Sequence, residues 1–158
     1  MNFKQIFQNF IDHQKDLKVI NVASCDLKGK PNSAAKLLVD VAEPNRVFLL
    51  DYNHTQTYSN IKSNPQLSIS FMDDAAFTGF RMTGTAEIIY SGPEYDEARR
   101  SWEKRLIAYE ADRILKRLMG HYSTKESENT LPKNFVIVKF TAKEAAVIKP
   151  DRVLRATH

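Results

Sequence analysis

The stretch Asp51 to Pro65, read as Asp-Tyr-Asn-His-Thr-Gln-Thr-Tyr-Ser-Asn-Ile-Lys-Ser-Asn-Pro, holds the densest set of groups suited to binding an anion. Hydroxyls at Thr55 and Thr57 stand where a short helix should begin, and Asn64-Pro65 should end it after Ser63. Unpaired backbone N–H groups in a first helical turn, with hydroxyls beside them, suit a dianionic phosphate. The same residues also describe an ordinary capped helix. Spacing alone leaves both readings open.

Other chemistries find little support. The histidines, His13, His54, His121 and His158, are far apart and lack close acidic or cysteine companions, so no zinc or iron spacing is present. There is no G-x-S-x-G elbow, no G-x-x-x-x-G-K-[ST] loop and no G-x-G-x-x-G turn. The single cysteine, Cys25, lies in a strand pattern and reads as a small core residue; one cysteine cannot form an intrachain disulfide. This favours a reducing, cytoplasmic setting. No stretch approaches the roughly 20 apolar residues that cross a bilayer. Net charge is +4, and the densest basic run, Arg99 to Arg117, alternates with Glu103, Glu110 and Asp112. That is the pattern of a solvated helix face, so a nucleic-acid partner is disfavoured and an anionic small ligand is an equally good use of the charge.

The elements that must position these residues follow from periodicity. Phe3, Ile6, Phe7, Phe10 and Ile11 recur at helical spacing and predict a helix over residues 2–14. Residues 19–25 and 32–41, joined by a Gly29–Pro31 turn, read as a hairpin, and 46–51 as a third strand. Leu67 to Phe71 alternates as a half-buried strand. Phe80 to Ile89 reads as another, with Gly84 hinting at a bulge or a close approach. Ser91-Gly92-Pro93 then opens a helical insertion, about 93–120, with Glu94, Asp96 and Glu97 at its positive end. Trp102, Leu106, Ile114, Leu118 and Met119 are its expected buried side, and a break near Tyr109 is possible on length. Residues 123–133 read as a loop, 134–140 as the last strong strand and 145–148 as a further one. With 158 residues, this predicts a single domain over 1–158, mainly β within an α+β class.

Thr55-Gln56-Thr57 followed by Asn60-Ile61-Lys62-Ser63-Asn64-Pro65 and an alternating strand resembles the FMN phosphate segment of the pyridoxamine 5′-phosphate oxidase-like split barrels. Val22-Ala23-Ser24 with Gly29-Lys30-Pro31 resembles the family's first hairpin. Phe80-Arg81-Met82-Thr83-Gly84-Thr85-Ala86 resembles its φ-R-φ-x-G-x-A strand, and Gly92-Pro93-Glu94 a recurrent helix start. The resemblance spans roughly residues 5–150. It implies a six-stranded antiparallel split β-barrel with an N-terminal helix and a helical insertion before the last strands. It further implies a homodimer with FMN at the interface, and an oxidoreductase acting with an unidentified small-molecule substrate or electron donor. The alternative is a non-catalytic protein of the same fold that binds flavin, haem or another anionic ligand.

Carried onto this chain, Thr55, Gln56 and Thr57 would meet the phosphate. Ser33, Ala34, Ala35 and Lys36, with Leu50 and Asp51, would border the ribityl chain and ring. A Lys36 ammonium at the flavin's pyrimidine side would favour the anionic reduced form; the plain alternative is a surface lysine on an alternating strand. Gln56 departs from the basic residue usual there, with Lys36, Lys62 or Arg81 as candidates to replace its charge. The oxidase's C-terminal substrate pattern is not matched by Arg152 to His158, which disfavours vitamin B6 oxidation.

Overall fold

The computed structural model describes residues 1–13, 19–120 and 134–158. Strands β1 (Val19–Cys25), β2 (Pro31–Ala42), β3 (Arg46–Asp51), β4 (Gln66–Asp73), β5 (Thr78–Ile89) and β6 (Val136–Lys149) form an antiparallel sheet in the order β3-β2-β1-β4-β5-β6. Pairing of β3 with β6, from Arg46↔Thr141 to Asp51↔Val136, closes it into a six-stranded barrel. Helix α1 (Phe3–His13) precedes the strands, α2 (Gln56–Ser63) joins β3 to β4, and α3 (Pro93–Leu118) is the insertion before β6.

Alternation decides which residues fill the barrel. Ile20 and Val22 of β1, Leu38 of β2, Val47 and Leu49 of β3, Ile69 of β4, Met82 of β5 and Phe140 of β6 all point inward and are at most 1% exposed. Helix α1 adds Ile6, Phe7 and Phe10 to the same core, and Phe10 meets Phe71 with ring centroids 5.3 Å apart. A second, smaller core lies outside the barrel wall. There Val39, Phe48, Leu50 and Ile137 receive Ala98 and Trp102 of α3.

Three elements differ from the sequence expectation. The segments expected as separate strands at 134–140 and 145–148 are one strand. Its first half pairs with β3 and its second half with an additional strand, β7 (Arg152–Thr157). Polar and charged residues on the solvent face of β7 hide its alternation. Helix α3 runs unbroken through Tyr109, since no Gly or Pro interrupts it. Of its expected buried side, Trp102 is 3% exposed but Ile114, Leu118 and Met119 are 56%, 80% and 70% exposed. Only the first half of the helix lies on the barrel. The expected loop 123–133, His121 and the last residue expected for the first helix, Gln14, lie outside the described residues.

The start of α3 is tied down electrostatically. Glu94 pairs with Lys139 of β6 at 2.6 Å and with Arg46 of β3 at 2.5 Å, and Lys139 also reaches Glu87 at 3.2 Å. The Lys139 hydrogen bond, then that of Arg46, holds the Glu94 carboxyl below the usual range, while Glu94 raises the Lys139 ammonium. A lowered carboxyl contributes stability above its unfolded pKa and loses it as pH falls through the folded one. Glu94→Gln should therefore cost about 0.5–1 kcal/mol near neutral pH, the range of partly exposed pairs. In urea melts the gap from wild type should close as pH drops below the carboxylate range; a gap that stays constant to acid would refute the ion-pair origin.

Candidate functional site

Helix α2 packs against β1, β2 and β5, and the residues from Thr55 to Pro65 are mostly structural. Thr55 is the N-cap: its Oγ1 accepts from Tyr58 N at 3.1 Å and donates to the Asp51 carboxylate at 2.9 Å. Asn60, 2% exposed, donates from Nδ2 to Ser24 Oγ at 3.0 Å, binding the helix to β1. Ile61 enters the main core. Asn64 donates to the Cys25 carbonyl at 3.3 Å, and Pro65 ends the helix while its carbonyl accepts from Ala86 N at 2.8 Å. Asn60, Ile61, Asn64 and Pro65 together fix α2 against the hairpin, the core and β5.

The strand residues divide by face. Ile20↔Lys36, Val22↔Ala34 and Ser24↔Asn32 are direct cross-strand pairs, so Asn32, Ala34 and Lys36 share the inward side. Ser33 and Ala35 face outward and are exposed. Leu50 also points outward but is covered by α3, whereas Asp51 points in and is completely buried. Lys36 is not a surface lysine. Its Nζ lies 2.5 Å from Asp51 Oδ1, at 9% exposure, and Asp51 also accepts from Tyr52 N at 2.7 Å.

Beside the first turn of α2 lies a pocket of about 410 Å³, lined by Asp26, Lys30, Pro31, Asn32, Gln56 and Asn60. Gln56 Nε2 donates to Asn60 Oδ1 at 2.8 Å, and Asn32 Nδ2 donates to Thr57 Oγ1 at 3.2 Å. The Thr57 side chain is buried at 2% exposure. Of the bases considered to replace a cation at position 56, Lys36 is committed to Asp51 and Lys62 lies over the Tyr58 ring, 5.5 Å from its centroid. Arg81 faces a different pocket. Lys30, unsuspected from sequence, lines the pocket with Gln56. Its signal was the interruption of inward apolar alternation by Ser24, Asn32, Lys36 and Asp51, which marks a polar barrel end.

These residues fit the two ends of a flavin mononucleotide differently. Backbone N–H groups in the first turn of α2 lack intrahelical acceptors, and Lys30 supplies a cation nearby. Along β2, Ser33 and Ala35 present small exposed side chains that a flat ring can approach.

No helix among the described residues is long and apolar enough to cross a membrane. Among them, no cluster of three His, Cys, Asp or Glu residues is arranged to hold a metal.

The sequence pattern of the pyridoxamine 5′-phosphate oxidase family matches residues 7–149. With the closed six-stranded barrel, this places the chain in that family. No curated protein matches it by sequence. Among solved structures it resembles a Clostridium acetobutylicum protein related to general stress protein 26 of Bacillus subtilis, of the pyridoxinephosphate oxidase family. That pair shares 16% identity over 98% of this chain and 95% of the other, with a TM-score of 0.68. A pyridoxamine 5′-phosphate oxidase-related, FMN-binding protein from Nostoc punctiforme aligns at 15% identity over 98% and 89%, with a TM-score of 0.61. A heme-binding protein from Mycobacterium smegmatis aligns at 15% identity over 90% of this chain and 54% of its own, with a TM-score of 0.65. At these identities the likeness is one of fold.

Proposed function

We propose that this protein binds FMN at the α2 end of the barrel and acts as an FMN-dependent oxidoreductase on a small-molecule substrate or electron donor. The observation carrying this is the pocket that joins Lys30 and Gln56 to the first turn of α2, at the end of a strand bearing small exposed residues. In this reading the Gln56 and Thr57 backbone N–H groups and the Lys30 ammonium hold the phosphate. Thr55 serves by capping α2, because its one hydroxyl proton goes to Asp51. Ala34 and Lys36 support the strand from inside, and Ser33 and Ala35 border the ring.

When bound, FMN supplies the hydride or electron transfer, and the protein orients it and shields it from water. Lys36 is ion-paired, so its charge is largely offset where the ring would sit. Lys36 therefore acts by fixing Asp51 and the α2 cap more than by stabilising reduced flavin. A flavin on the exposed outer face of β2 needs a second wall, which a homodimer provides in a cytoplasmic protein of this kind.

FMN titration tests the reading. The wild type should bind with the absorbance of oxidised flavin and sediment as a dimer. Lys30→Met should weaken FMN about tenfold, the scale of one charge-assisted phosphate contact. No binding at high micromolar FMN, or a monomeric mass with FMN bound, would overturn the site as drawn.

The M. smegmatis likeness favours a second reading, a ligand carrier without turnover, in which haem or another anionic ligand takes the groove. Haem binding that excludes FMN would select it.

A further inference from the structure

The two residues that open α2 are joined by a chain of side-chain hydrogen bonds that leaves the helix and returns to it. Gln56 Nε2 donates to Asn60 Oδ1 at 2.8 Å, and Asn60 Nδ2 donates to Ser24 Oγ at 3.0 Å. Asn32 Nδ2 then donates twice, to Ser24 Oγ at 3.3 Å and to Thr57 Oγ1 at 3.2 Å. Ser24 and Asn32 are direct cross-strand partners of β1 and β2. Ser24, Thr57 and Asn60 are buried, while Asn32, Gln56 and Asn60 line the α2 pocket. The chain is therefore one wall of that pocket.

Its donors and acceptors decide what Thr57 can do. A hydroxyl has one proton to give and two lone pairs to receive. Asn60 and Asn32 fill both lone pairs of Ser24 Oγ, and the other amide proton of Asn32 goes to Thr57. Among the described residues, Thr57 Oγ1 makes no other hydrogen bond. Its own proton is thus a buried donor without an acceptor, and a hydroxyl that already accepts is the better donor. In the same turn the Thr55 hydroxyl takes the Tyr58 N–H and the Thr55 carbonyl takes the Ser59 N–H. The Gln56 and Thr57 N–H groups are left over, as the first two of a helix are. We propose that Asn32 is a positioning residue for the phosphate of FMN: by donating to Thr57 Oγ1 it commits that hydroxyl to donating to the phosphate, beside the two N–H groups. This rests on FMN occupying the α2 pocket. It makes Asn32 a determinant of the preference for a phosphate ester over the unphosphorylated flavin.

Riboflavin carries the same ring and ribityl chain without the phosphate, so paired titrations separate this role from a general loss of structure. Flavin fluorescence gives both affinities for the wild type, Thr57→Val, Asn32→Ala and the double variant. The wild type should prefer FMN. Thr57→Val should weaken FMN about tenfold and Asn32→Ala about fivefold, with riboflavin held within about twofold. Asn32→Ala should cost nothing more once Thr57→Val is present, because the hydroxyl it serves is gone. Asn32→Asp keeps the shape but can only accept, so it draws the Thr57 proton away and should weaken FMN more than Asn32→Ala does. Equal losses of FMN and riboflavin, or an Asn32→Ala loss that persists in the Thr57→Val background, would overturn the role. FMN that weakens in Lys30→Met but is unmoved by Asn32→Ala and Asn32→Asp would overturn it alone. No wild-type binding at high micromolar FMN would overturn it together with the FMN site.

Discussion

Replacing Gly84 with alanine should lower unfolding stability by about 3 kcal/mol or more, a large fraction of the roughly 5–15 kcal/mol typical of a domain. A Cβ at that position would sit 2.0 Å from the Thr141 carbonyl oxygen, 2.9 Å from its carbon and 3.0 Å from the Ala142 Cα. All three atoms are backbone, so no side chain can swing away. Relief requires moving β6 at the point where the β5–β6 register shifts between Thr83 and Gly84. That stretch of β6 also holds Asn45, whose amide donates to the Ala142 carbonyl at 2.8 Å. Gly29 is the control: its φ is +80°, but a Cβ there meets nothing within 4 Å. Gly29→Ala should cost only about 1 kcal/mol of conformational strain. Guanidinium melts of the two variants give the comparison, and a Gly84→Ala loss under about 1 kcal/mol would mean that β6 yields more readily than its pairing indicates.

Breaking the Lys36–Asp51 pair should be comparably severe. Asp51 is fully buried and also serves Tyr52 N and Thr55 Oγ1, so Asp51→Ala strands an ammonium and frees the α2 cap together. Lys36→Met strands the carboxylate instead. Each single change should cost about 3–5 kcal/mol, while Lys36→Met/Asp51→Leu should recover much of it, because no unpaired charge is left inside. A double-mutant cycle in denaturant measures the coupling, expected to be several times that of the exposed Arg99–Glu103 pair. Additive losses would show that the two charges do not depend on one another. The same variants bear on the site: if FMN affinity falls with Asp51→Ala in step with stability, the contribution of the pair is to hold α2.

Where the sequence carried strong alternation, the architecture was legible. Residues 19–25, 46–51 and 67–71 announce their strands, and Gly92-Pro93 announces α3. Gly84 was readable as a close approach because a lone glycine in an apolar strand pattern needs a reason. Strand β7 was not readable, since its solvent face mixes Val153 with Arg155 and Thr157, and Arg152 shares the face of the only two inward apolar residues, Leu154 and Ala156. The exposed second half of α3 was misjudged because Ile114 and Leu118 keep helical spacing with Trp102, and spacing cannot tell where the barrel wall ends. At the site, Thr55 was found but its hydroxyl is spent on Asp51, a pairing between residues four apart that no propensity encodes. Lys30 was missed because turn lysines are usually solvated. The inward or outward sense of Ser33, Ala35 and Lys36 required only the strand parity, once register was known.

Strand β6 has a consequence for how the chain is made. Its first half is what closes the barrel onto β3, through partners such as Arg46 and Thr141, 95 residues apart along the chain. During synthesis, β1 to β5 can pair only as an open sheet whose two rims, β3 and β5, carry unpaired backbone groups until β6 is complete. Closure is thus a late, long-range event whose loop entropy must be met before most of its contacts form. The interval before it, in a nascent chain longer than about 130 residues, is when this protein is most exposed to pairing with another copy of itself.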